Sequence, residues 1–194
     1  MDHWRYYIQG RLVEALNQRE SAISAYREAL RVQPDFHRCT NRIAYLLASM
    51  DRFGDAEKHF REALRLDPEN AVAHFNLGYT LEKLGRYDDA IASFQHATRI
   101  NPKIDRAWYG MGMCHAHEER HAEAAAALEE AALLQPMNPH AWYALGMAQY
   151  ACRNPERLKE VILHLVRFDP RMARRLILES ESTDLAYLVK DLVV

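Results

Sequence analysis

The side chains best suited to chemistry are Cys114, His115, His117 and His121, the densest set of metal-ligand residues in the chain. A zinc-type site needs three or four such groups aimed at one point. Helical spacing works against that here. His115 falls in a core position, and His117 and His121 straddle a turn between two helices. The paired acids Asp88-Asp89 and Glu129-Glu130 fall on helix surfaces and read as solvated faces. The chain has no GxxxxGK[ST], no GxGxxG after a strand, and no GxSxG or HExxH motif. Nothing gathers an acid, a base and a nucleophile, so the expectation is a protein that is not an enzyme, with no catalytic residue, no metal and no cofactor.

The elements that carry these residues are set by a ruler. Pro34, Pro68, Pro102, Pro136 and Pro170 are spaced by 34 residues throughout. Fixed periods of this length mark tandem arrays of one supersecondary unit. With each proline at position 32, the rows are 3–36, 37–70, 71–104, 105–138 and 139–172. Position 8 reads Gly10, Ala44, Gly78, Gly112, Gly146. Position 20 reads Ala22, Ala56, Ala90, Ala124, Leu158, and position 27 reads Ala29, Ala63, Ala97, Ala131, Leu165. Position 24 is large and apolar: Tyr26, Phe60, Phe94, Leu128, Ile162. Position 30 is apolar too, from Val32 to Phe168. Small residues at 8 and 20 let two antiparallel helices approach, and bulky ones at 4, 7, 24 and 30 fill the space around them. The turn falls near positions 14–18, where Asp51, Gly54, Gly85 and Asn154 sit. The proline ends the second helix. No alternating β-branched run competes, so the fold class is all-α.

Bulk properties narrow the partners. Half the residues are apolar (49%), 27% are charged, and the net charge is −2 with a pI near 6.6. These values indicate a folded chain, without the basic face that nucleic acid requires. Cys39, Cys114 and Cys152 are odd in number and widely separated, so neither a disulfide framework nor a zinc knuckle is expected. No apolar run approaches the roughly 18 residues that cross a bilayer. The N-terminus lacks the charged and apolar regions of a secretory signal, which makes the location expected cytoplasmic.

The row pattern resembles the tetratricopeptide repeat (TPR). Row three is nearest the usual form, through Leu77-Gly78, Leu81, Gly85, Tyr87, Ala90, Phe94, Ala97 and Pro102. The resemblance covers residues 3–172 and implies a right-handed α-solenoid of helix-turn-helix repeats, one TPR domain over 1–194. First helices would line a concave face and second helices a convex one. Row one departs through Gln9 at position 7 and Arg19 at position 17. Row five departs through Leu158 and Leu165, which imply a wider helix pair, and through Pro155, which suits the first turn of a helix. Residues 173–194 leave the period and read as an amphipathic cap that restarts at Ser182 or Thr183. Leu176, Leu178, Leu185, Leu188 and Leu192 form its expected covering side.

Partners of the family lie in the concave groove, lined by first-helix positions 2, 5, 9, 12 and 13. Position 5 holds Tyr7, Asn41, Phe75, Tyr109 and Tyr143. Position 9 holds Arg11, Tyr45, Tyr79, Met113 and Met147. Tyr150 at position 12 and Trp4 at position 2 extend the stripe, and Arg38 and Arg106 add positive charge that suits partner carboxylates, opposed by Glu14 and Glu82. Eight of nineteen aromatics fall on these positions, which favours recognition of an apolar or aromatic segment, helical or extended. Position 9 is the more prone of the two to pack against the next first helix. The carboxylate clamp of chaperone-binding relatives is missing: Asn41 and Tyr45 stand where Lys and Asn belong, and Gly110 replaces Arg. The asparagine ladder of glycosyltransferase arrays is missing too, with only Asn76 at position 6. The expected function is a scaffold or assembly adaptor that binds another protein in this groove. The alternative is self-association into a homo-oligomer, through the first helix (Trp4, Tyr6, Tyr7) or the apolar end Leu192-Val193-Val194.

Overall fold

Each 34-residue period folds into two helices because its apolar residues recur at helical spacing and its turn and proline residues interrupt that spacing at fixed points. The computed structural model describes residues 2–189. Among them the secondary structure is helical throughout, with no strand: α1 (Asp2–Ala15), α2 (Arg19–Val32), α3 (His37–Ala48), α4 (Phe53–Leu66), α5 (Ala71–Lys83), α6 (Tyr87–Ile100), α7 (Asp105–His117), α8 (His121–Leu134), α9 (Pro139–Ala151), α10 (Pro155–Phe168), α11 (Pro170–Glu179) and a 3-10 helix over Thr183–Val189. Two compact units divide the chain after Asn101. The first holds α1–α6, and the second holds α7–α11 with the 3-10 helix.

Within the first unit, helix pairs α1/α2, α3/α4 and α5/α6 pack side by side, and α2 and α4 pack in turn on α3 and α5. The small residue at position 8 is the point of closest approach. A Cβ placed on Gly78 would stand 2.7 Å from the Phe94 ring, inside van der Waals contact. Tyr26, Phe60 and Phe94, all at position 24, are fully buried with Ala22, Ala56 and Ala90. Position 30 is less of a core position than expected, since Val32 is half exposed.

The turn between paired helices is the same in every row. Position 15 takes a left-handed conformation in Asn17, Asp51, Gly85, Glu119 and Arg153, with φ between 55° and 73°. The next residue's N–H bonds back to the helix, as in Arg86 N–H to Leu81 O (2.9 Å) and Arg120 N–H to His115 O (2.9 Å), a Schellman closure. Gly85 adopts this geometry without a Cβ clash, whereas Glu119 and Arg153 adopt it with one. Gly54 is not a turn residue. It lies in the first turn of α4.

All five ruler prolines sit two residues beyond the ends of α2, α4, α6, α8 and α10. The carbonyls of Pro68, Pro102 and Pro136 also meet ring nitrogens from position 4 of the next row. Trp108 Nε1 donates to Pro102 O and Trp142 Nε1 to Pro136 O, both at 2.9 Å, and His74 Nε2 lies 2.9 Å from Pro68 O. Pro170 has a second role. It begins α11, and Asp169 accepts from Met172 N–H at 3.0 Å as its N-cap.

The second unit ends differently from a regular repeat. The cap starts at Pro170, three residues before the expected 173, and restarts at Thr183 as a 3-10 helix rather than an α-helix. Ala173, Leu176, Ile177, Leu185 and Val189 are buried, and Leu188 packs against them. Leu178, expected on the covering side, is 67% exposed, because the buried face of α11 runs through 173, 176 and 177 and 178 points away. Leu192 lies outside the described residues. A Cβ on Gly146 would meet Leu176 of α11 at 2.4 Å, so α11 occupies the niche that position 24 of the same repeat fills around Gly78. Leu158 and Leu165 of α10 are buried in the same core, and Pro155 begins α10 after the N-cap Asn154.

Candidate partner-binding site

In the first unit, α3 packs beside α5, which aligns their position-5 and position-9 side chains. Tyr45 and Tyr79 are the open members, 46% and 42% exposed. Each carries a cation on one ring face. The Arg42 guanidinium lies 5.2 Å from the Tyr45 centroid and Lys83 Nζ lies 5.0 Å from that of Tyr79. Phe53 meets the Tyr79 ring edge-on at 6.5 Å. These contacts restrict the rings without burying them, which lowers the rotamer entropy a partner must remove.

Position 5 is the more packed of the two, through the second helix of its own repeat rather than the next first helix. Phe75 lies 6.0 Å from Phe94 and Tyr7 lies 5.8 Å from Tyr26, each against position 24 of its own repeat. Tyr7 also meets Trp4 and Phe36, at 5.6 and 5.4 Å, so Trp4 and Tyr7 belong to a local ring cluster. Tyr6 is half-buried. Arg38 is exposed with its guanidinium 5.5 Å over Trp4. Arg11 is exposed beside the Tyr7 hydroxyl. Asn41 is half-buried, and its Oδ1 is buried without a hydrogen-bond partner.

Glu14 does not oppose the positive charge of the face as expected. Its carboxylate accepts from the Tyr26 hydroxyl at 2.7 Å and from Arg42 Nε at 3.2 Å, with a second bond from Arg42 Nη2. Burial first, and the Glu14 hydrogen bond next, push the Tyr26 phenol well above its ordinary value. The network joins α1, α2 and α3 and fixes Arg42 under Tyr45. Arg42, at position 6, was not among the expected lining positions, whereas Lys83 occupies position 13, which was. Their placement three residues before Tyr45 and four after Tyr79 is the signal that marks them.

In the second unit, α7 packs beside α9. Met113 and Tyr150 are 40% and 39% exposed, while Tyr109 and Met147 are half-buried. Arg106 is exposed at the mouth of a cleft of about 530 Å3, lined also by Asp105, Tyr109, Gln135, Asn138 and His140. Tyr143 is not open. Its hydroxyl donates to Glu179, and Arg175 lies 4.7 Å over its ring, with Arg175 Nε bonded to Glu179 at 2.7 Å. Burial and then Glu179 raise the Tyr143 phenol, and Arg175 followed by Tyr143 lowers the Glu179 carboxyl. The cap helix α11 therefore sits on a side chain that the sequence assigns to the partner.

The histidine set does not converge. His115 is buried within α7, His117 ends α7 and His121 begins α8. Among the described residues no group of three or more His, Cys, Asp or Glu is placed to hold a metal ion. The acid pairs divide. Asp88 and Asp89 are exposed, but Glu129 is half-buried and bound by Arg157 of α10, so it ties two repeats of its unit together rather than facing water. Among the described residues no helix is long and apolar enough to cross a membrane.

The repeat architecture has counterparts among known proteins. A tetratricopeptide repeat profile matches residues 41–103, 81–133 and 120–157, and a second matches 5–36. The chain therefore belongs to the tetratricopeptide repeat family. A comparison with curated proteins finds no significant match. Among solved structures, YrrB, a TPR protein with an unusual peptide-binding site, superposes with a TM-score of 0.78 at 24% identity, covering 91% of this chain and 90% of that one. MamA superposes with a TM-score of 0.77 at 18% identity, covering 99% and 97%. PilF of Pseudomonas aeruginosa gives 0.74 at 20% identity, covering 95% and 87%. These likenesses show the fold: an all-α array of TPR helix pairs of the solenoid class.

Proposed function

We propose that the chain is a non-enzymatic scaffold or assembly adaptor, one TPR domain of five repeats and a cap, that binds a segment of another protein on its first-helix faces. The observation that carries this reading is the pair of half-exposed, cation-backed tyrosines at position 9, Tyr45 and Tyr79. Large amphipathic rings held in place from behind bind apolar or aromatic side chains at low entropic cost. Tyr109, Met113 and Tyr150 offer similar surface in the second unit, with Arg106 at its cleft to take a partner carboxylate. The peptide-binding property of YrrB is consistent with this use of the fold. Three free cysteines, two of them buried, suit a reducing compartment such as the cytoplasm.

The test is affinity capture from a lysate with quantitative mass spectrometry, comparing wild type with Tyr79→Ala plus Tyr109→Ala. The double variant loses the captured partners while far-ultraviolet dichroism and melting temperature stay near wild type. Undiminished capture by a folded double variant overturns the reading.

A further inference from the structure

The third repeat carries an imidazole on both sides of the contact between its two helices. His74 of α5, at position 4, and His96 of α6, at position 26, stack with ring centroids 5.0 Å apart and planes 19° from parallel. His74 is half-buried and His96 is exposed. The same two positions hold Tyr6 and Glu28, Thr40 and Glu62, Trp108 and Glu130, and Trp142 and His164 in the other repeats. Only the third pairs two groups that both gain positive charge as pH falls through the imidazole range.

Hydrogen bonds fix where the added protons go. The Pro68 carbonyl can only accept, so the His74 ring donates from Nε2 across 2.9 Å and takes a further proton on Nδ1. Arg99 Nη2 can only donate, so at 3.3 Å it fixes His96 Nδ1 as an acceptor. A proton on that nitrogen removes the bond and sets an imidazolium against a guanidinium. The cleft around the stack, about 430 Å3, brings further cations. α4 contributes Arg61 and Arg65, α6 contributes the one lining acid, Asp89, and α3 contributes no lining residue. Asp89 is bound by Arg86, and so is Glu57, which also holds Arg61 at 2.9 Å. Glu62 takes Arg65 through two bonds. Glu69, exposed in the preceding loop, favours a charged His74 but is outweighed. Burial first, then the charge of His96 and of Arg99, hold the His74 imidazole below its ordinary value against Glu69 and the Pro68 bond.

We propose that the His74–His96 stack is a proton-sensitive joint, which as pH falls loosens α5 from α6 and with it the seat of Tyr79. Linkage sets the direction. A histidine held below its ordinary value contributes its stability in full above that value and loses it as pH falls through the lowered one. Two imidazolium rings at stacking distance repel as well. α5 carries Tyr79 together with the Lys83 behind its ring, and α5 packs on α4 and α6. Mild acid therefore loosens this helix while ordinary carboxylates remain charged. The consequence for a bound partner rests on the proposed scaffold function; the loosening of α5 does not.

Amide exchange of the full chain at about pH 7.5 and about pH 5.5, corrected for intrinsic rates, tests this without a partner. In wild type, exchange in α5 and α6 accelerates several-fold on acidification. His74→Trp introduces the residue type that Trp108 and Trp142 place against the matching proline carbonyls, and the acceleration disappears. His96→Glu, at an exposed site where Glu28, Glu62 and Glu130 stand in other repeats, sets a carboxylate beside His74 and likewise abolishes it. Should His74→Trp lose helicity at neutral pH, His96→Glu carries the test. Wild-type exchange in α5 and α6 that is indifferent to this pH change overturns the proposal. An acceleration that persists in either folded variant overturns it too.

Discussion

Tyr79 in the first unit and Tyr143 in the second fall on lining positions of the same family groove, yet one ring is open and the other is covered. Tyr79 is 42% exposed, with Lys83 behind it and Phe53 at its edge. Tyr143 is held by Glu179 and Arg175 of α11. Part of the difference is position, since position 5 is half-buried in the third repeat too, as Phe75, and part comes from the second helix of each repeat. α5 is paired with a regular second helix whose Phe94 fills the Gly78 niche. α9 is paired with an oversized one, and Leu176 of α11 fills the niche at Gly146 instead. An interior repeat leaves its position-9 tyrosine exposed, and the terminal repeat uses its position-5 tyrosine to hold its own cap.

The largest expected effect breaks the covered half of this contrast. Leu176→Ala removes a fully buried side chain from between α9 and α11 and destabilises the chain by about 2–5 kcal/mol in denaturant unfolding. Leu178→Ala, two residues away on the exposed face, changes stability by less than about 0.5 kcal/mol. Equal effects of the two would mean that α11 does not dock through the face that carries Leu176.

A smaller effect sharpens the same half. The Glu179 carboxyl is held below its ordinary value by Arg175 and Tyr143, so its contribution is complete above that ordinary value and is lost as pH falls through the lowered one. Amide exchange in α11, corrected for intrinsic rates, accelerates on acidification below the carboxylate range. In Glu179→Gln that acceleration is absent and exchange is already faster at neutral pH.

Much of this arrangement was legible in the chain. The period located both helices of every repeat. Position 8 marked the close contacts, and position 9 located two exposed tyrosines, Tyr45 and Tyr79. What escaped lay in contacts between elements that no local pattern reports. Pro170 follows the end of α10 as its spacing indicates, but Asp169 before it also supplies an N-cap and starts α11 at once. Leu178 looks like a core residue by type, yet the face chosen by Ala173 and Leu176 excludes it. Glu14 looks like a groove charge, but Tyr26 and Arg42 from two other helices take up its oxygens. Tyr143 is assigned to the groove by its position and is covered by a helix some 30 residues further on, outside the repeat period that defines the position.

The central claim is that open position-9 tyrosines, and not the covered Tyr143, bind the partner. The direct measurement is captured-partner yield for Tyr79→Ala against Tyr143→Phe, which removes only the hydroxyl bonded to Glu179. The account predicts a several-fold loss for Tyr79→Ala, about 1–2 kcal/mol in a recognition residue, and a yield near wild type for Tyr143→Phe. Loss confined to Tyr143→Phe, with Tyr79→Ala binding as wild type does, would contradict it.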